Sequence, residues 1–90
     1  MITVEEVKVA IRVTSSKLDD EVQSTIDAAV LDLGTAGVQA VDDALIGQAI
    51  KQYARWQFDY MGKADQYQKA YVDLKSALSL IPEYNGGVKP

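Results

Sequence analysis

The strongest constraint on this chain is a pair of apolar stripes on either side of Gly62. Before it, Ile46, Ala49, Tyr53, Trp56 and Tyr60 recur at steps of three and four, the spacing of one helical face. After it, Tyr67, Tyr71, Leu74, Leu78 and Ile81 alternate four- and three-residue steps, which makes a seam for a neighbouring helix. All seven aromatic residues fall between Tyr53 and Tyr84. The pattern predicts two long helices forming an antiparallel hairpin that turns at residues 60–63, with the rings on facing sides, where each buries a large area. A second stripe of Ile50, Ala54, Phe58 and Met61 lies roughly 120° around the same helix. Only Gln48, Lys51, Gln52, Arg55 and Asp59 remain as a coherent polar strip. A helix apolar around that much of its girth touches neighbours on two sides. Phe58 and Met61 are therefore expected to pack under the first two helices or against another subunit.

The N-terminal half reads as two further helices. Thr3-Val4-Glu5-Glu6 is a capping-box sequence, in which the Thr3 hydroxyl accepts from the Glu6 N–H and Glu6 reaches back. It predicts a short helix from Val4 to Ile11. Val7, Val9, Ile11 and Val13 compete with it as a strand-like alternation. Ser15-Ser16 interrupts the pattern. Asp19, Asp20 and Glu21 then place negative charge in a helical first turn, where the macrodipole favours it. Leu18, Val22, Ile26, Ala29, Val30 and Leu33 make one stripe, and Gly34 and Gly37 are expected to close the helix. Residues 34–41 read as a small-residue loop, and Asp42 or Asp43 as the cap of the third helix. Gly62 is expected to end that helix, and Pro82 the last one, which starts near Ala64. Residues 83–90 carry two glycines and a terminal proline. They are expected to order only on assembly, with the Tyr84 ring entering a partner's pocket.

The fold class is thus all-α: a small four-helix domain, with residues 1–90 as one unit. A chain of 90 residues buries only about 60% of the surface its unfolded form exposes. Such domains often add disulfides, a metal or a partner subunit. There is no cysteine and no histidine, which excludes disulfides, the usual nucleophile dyads and most zinc sites. Self-association is the remaining staple. Ser15-Ser16 has no histidine to activate it, and Gly34-Thr35-Ala36-Gly37 lacks the lysine of a phosphate loop. Asp19-Asp20-Glu21 lacks the alternate oxygen ligands of a calcium loop. This inventory argues against an enzyme, and no cofactor or metal is expected.

No apolar run approaches the ~20 residues a membrane span needs. The opening MITVEEVK is acidic where a secretory leader is basic. The net charge of −4 is wrong for a basic DNA-binding surface. The charge is also uneven: residues 1–45 carry three Lys/Arg and nine Asp/Glu (−6), residues 46–90 six and four (+2). Two readings follow. The charges are solvated faces, or the acidic half of one molecule, with Asp19, Asp20 and Glu21, meets the basic strip of another, with Lys51 and Arg55.

Several stretches together resemble the head–tail connector family of tailed bacteriophages. They are TVEEVKVAIRV, the acidic LDDEVQSTIDAAVLDL, and DDALIGQAIKQYARWQFDYM followed by DQYQKAYVDLKSALSLIPEYNG. Trp56 and the loop around Gly34 and Gly37 depart from the family's pattern. The resemblance implies a helical, non-enzymatic virion protein at the head–tail junction, assembled in the bacterial host cytoplasm. It implies a homo-oligomeric ring on the portal protein that receives the next head-completion or tail protein. Double-stranded DNA would pass through the lumen without specific binding. The interface residues expected on these grounds are Phe58, Met61, Lys51, Arg55, Asp19, Asp20, Glu21 and Tyr84. The competing class is a small cytosolic helical regulatory or interaction module, dimeric through the hairpin of residues 46–81.

Overall fold

Thr3 opens the first helix, α1 (Val4–Ile11). Its hydroxyl accepts from the Glu6 N–H at 3.2 Å and donates to the Glu6 carboxylate at 3.3 Å. Glu6 thus reaches back to the hydroxyl. The helix prevails over the strand alternation: Val7 and Ile11 are buried, whereas Val9 on the opposite side is 79% exposed. A strand would have put all three on one face. Arg12 ends α1 in the left-handed conformation, and the Val13 N–H returns to the Lys8 carbonyl. This is the Schellman closure, with arginine where glycine is usual.

The computed structural model describes residues 2–39, 44–82 and 84. A 3-10 turn (Ser16–Leu18), capped by the Ser15 hydroxyl on the Lys17 N–H, leads into α2 (Asp19–Thr35). Asp19, Asp20 and Glu21 do form its first turn. Gly34 lies inside α2, so the expectation that it closes the helix is corrected. Gly37, at φ 79°, makes the turn. Of the loop expected at residues 34–41, residues 34 and 35 belong to α2, Val38 is buried in the core, and residues 40 and 41 lie outside the described residues. The expected cap at Asp42 or Asp43 lies outside the described residues, as do residue 83 and residues 85–90 of the tail.

Helix α3 (Ala44–Gln57) is the central element and packs against α4 (Ala64–Ser79), α2 and α1. Its two apolar stripes explain that position. Ile46, Ala49, Ile50 and Ala54 are all at most 1% exposed, so both stripes face this chain's own helices. They meet Val7 and Ile11 of α1, Val22, Ile26, Ala29 and Leu33 of α2, and Tyr71 and Leu78 of α4 in one core. Among the described residues the chain is all-helical, four helices in a small domain without a strand.

The link between α3 and α4 departs from expectation. Helix α3 stops at Gln57, not at Gly62. Asp59 and Met61 take left-handed φ of 49° and 55°, Gly62 follows at 68°, and residues 60–62 form a 3-10 turn. The Asp59 carboxylate then accepts from the Ala64 N–H at 3.1 Å, which satisfies one of the orphan donors at the start of α4. Helical spacing therefore does not carry the second stripe as far as Met61.

Candidate interaction surface

The rings form two clusters, Tyr53, Trp56 and Tyr71 between α3 and α4, and Tyr60 with Tyr67 at the turn that joins the helices. Tyr53 meets Trp56 at 5.5 Å and Tyr71 at 5.1 Å between centroids, both edge-on, and Tyr60 meets Tyr67 at 5.8 Å. Edge-to-face pairs of this kind are favoured by the ring quadrupoles. Tyr71 is the buried member of the first cluster, while Tyr53, Trp56, Tyr60 and Tyr67 are partly exposed.

Several residues expected at an intermolecular surface are engaged within the subunit. Asp19 accepts from Lys8 at 2.7 Å, which closes the start of α2 onto α1 and holds the Lys8 ammonium above the usual lysine range. Arg55 donates from Nε to the Ala10 carbonyl at 3.3 Å. Its guanidinium also lies 5.9 Å from the Tyr60 ring centroid and 5.8 Å from that of Tyr67, a cation–π contact with both. Phe58 is half-buried against the core. Tyr84 is buried in the core of its own chain, and its carbonyl accepts from the Gln39 N–H. The expectation that Tyr84 awaits a partner's pocket is therefore corrected: the residue is already buried in this chain's own core cluster. Lys51 is half-buried, and Asp20, Glu21 and Met61 are exposed.

One polar cluster escaped the sequence reading. Tyr71 donates its hydroxyl to Asp32 Oδ2 at 2.5 Å, and Lys75 donates to the same oxygen at 3.1 Å, its ammonium 5.5 Å from the Tyr71 ring centroid. This clasp ties α4 to α2. The Tyr71 hydroxyl, opposed by burial and helped by Lys75, lowers the Asp32 carboxyl below its ordinary range. Burial first, and the Asp32 carboxylate second, raise both Tyr71 and Tyr53 above the ordinary phenol range.

These shifts predict a two-sided pH profile. A depressed carboxylate contributes stability above its unfolded pKa of about 3.9 and loses it as pH falls through the folded value. A raised phenol contributes below its unfolded pKa of about 10 and loses it as pH climbs past that point. Melting temperature followed by circular dichroism should be flat near neutrality and fall at both ends. Asp32→Asn should flatten the acid limb, and an acid limb identical to wild type would remove Asp32 as its source.

Among the described residues the exposed large apolar side chains are Val9, Leu31, Leu45, Met61, Val72 and Leu80. Ile2, Gln23, Ile26, Asp27, Val30 and Leu31 line a groove of about 390 Å³ along α2. Among the described residues no helix is long and apolar enough to cross a membrane. No protein-family profile, curated protein or solved structure matches the chain.

Proposed function

We propose that this chain is a structural adaptor of the head–tail connector kind. It is a non-enzymatic subunit that assembles into a ring on the portal protein, extends the DNA channel and receives the next head-completion or tail protein. The observation that carries this reading is the pairing of a small, all-helical core with exposed apolar side chains on unlike faces. Val9 lies on α1, Leu31 on α2, Val72 on α4 and Leu80 just past the end of α4. A ring built head to tail needs two different patches on every subunit. The resemblance of the connector-like stretches to that phage family supplies the partner. The net acidic balance also suits a lumen through which DNA slides, since tight phosphate contacts would retard it.

Co-sedimentation of the purified chain with the neighbouring portal protein tests the proposal. Binding together with rings in negative-stain images is the expected result. Compact dimers that leave the portal in a separate fraction would replace this reading with the dimeric interaction module.

A further inference from the structure

The charge of the N-terminal half is divided more sharply than its total suggests. Residues 7–18 hold three cations, Lys8, Arg12 and Lys17, and no carboxylate. Helix α2 holds five carboxylates, Asp19, Asp20, Glu21, Asp27 and Asp32, and no cation. The internal ion pairs Lys8–Asp19 and Lys75–Asp32 use one cation of the first segment and two acids of the second. Arg12 and Lys17 are left on one side, and Asp20, Glu21 and Asp27 on the other. Among the described residues none of these five is ion-paired. Asp20 and Glu21 serve the start of α2, but Asp27 lies in mid-helix, beyond the reach of the dipole, where Oδ1 accepts from Gln23 at 3.0 Å.

Each charge set has a large exposed apolar side chain beside it. Val9, 79% exposed, lies one turn before Arg12, and Leu31, 75% exposed, lies one turn after Asp27 and lines the groove. These are the two most exposed large apolar residues described. Arg12 adds a second observation. It occupies a left-handed position, φ 57°, that glycine would fill without strain. A long cation kept at such a site is a local cost with no gain inside the subunit, the pattern expected where function overrides stability.

We propose that the C-terminal end of α1, with Val9 and Arg12, and the 3-10 turn after it, with Lys17, dock into the groove along α2 of a second copy. Val9 would enter among Ile26, Val30 and Leu31, and Arg12 would meet Asp27. The cationic end and the mainly apolar groove with Asp27 on its lining are different surfaces of one chain, so the contact is heterologous and propagates from copy to copy. The proposal rests on the self-assembly part of the adaptor reading and specifies its interface.

The chain has no cysteine, so introduced thiols report without background. Val9→Cys and Leu31→Cys both replace exposed side chains and leave the core intact. A disulfide between them forms only if the two Cα atoms approach within about 7 Å. Under mild oxidation of concentrated protein, a mixture of the two single variants should give the mixed dimer, and the double variant should give a ladder. Arg12→Gly in the double-cysteine background should abolish the ladder while leaving the melting temperature unchanged or higher. Homodimers only, no disulfide, or a ladder indifferent to Arg12→Gly would each overturn the proposal. The portal experiment separates the two readings. A ladder without portal binding leaves this interface standing and refutes the adaptor. Portal binding without a ladder does the reverse.

Discussion

Replacing Tyr71 by alanine should lower stability by about 3–5 kcal/mol, the range for buried aromatic truncations. For a domain whose total stability is about 5–15 kcal/mol, that is a large share. Tyr71 is 1% exposed, meets Tyr53 edge-on and lies 6.2 Å from the Trp56 ring centroid. Its removal would open a cavity between α3 and α4, with helix backbone on both sides limiting collapse. It would also free Asp32 from its hydroxyl donor and take the ring from beneath the Lys75 ammonium. Tyr71→Phe separates the two contributions. The ring and its packing stay and only the hydrogen bond goes, so the loss should be about 1–2 kcal/mol, towards the low end for a charged acceptor because Asp32 is partly hydrated. Urea midpoints at neutral pH measure both. Equal losses for the two variants would assign the stabilisation to the hydroxyl, and no loss for alanine would deny the ring its central place.

What the sequence revealed and what it concealed follow from the range of the interactions. The Thr3 cap, the acidic first turn at Asp19 and the stripe of Val22, Ile26 and Leu33 depend on neighbours within one or two turns, and periodicity finds them. The clasp does not, because Asp32 and Tyr71 are 39 positions apart. Nothing in either helix's own pattern marks a mid-helix aspartate as the acceptor for a stripe tyrosine. Arg55 is similar. Its place on the polar strip of α3 suggested a free cation, yet the carbonyl it reaches, Ala10, lies 45 residues away. The end of α3 was concealed for another reason. Glycine at 62 is the usual signal for a positive φ, but the chain first turns left-handed at Asp59, a residue that tolerates it less readily. The interface residues divided accordingly. Asp20, Glu21 and Met61 remained at the surface, whereas Asp19, Arg55 and Tyr84 were claimed by long-range contacts within the subunit. The charge segregation between residues 7–18 and α2 was legible in the sequence, but a division into equal halves obscured it.

The second stripe of α3 supplies the other large effect. Ile50 is fully buried at the junction of α3 with its neighbours, whereas Met61 is 69% exposed beyond the helix end. If the stripe were one intermolecular face, the two positions would respond alike. With the stripe divided between core and surface, Ile50→Ala should cost about 2–5 kcal/mol, a buried large-to-small change in a site that helices enclose on several sides. Met61→Ala should stay within about 0.5 kcal/mol of wild type, as surface substitutions do. The difference has a physical basis in α3's central position. It packs against all three other helices, so a cavity at Ile50 cannot close by moving one element without opening a gap against another. Urea denaturation of the two variants side by side decides the matter. Similar midpoints would show that Met61 shares the core's environment, and a wild-type midpoint for Ile50→Ala would show that α3 does not occupy the centre of the fold.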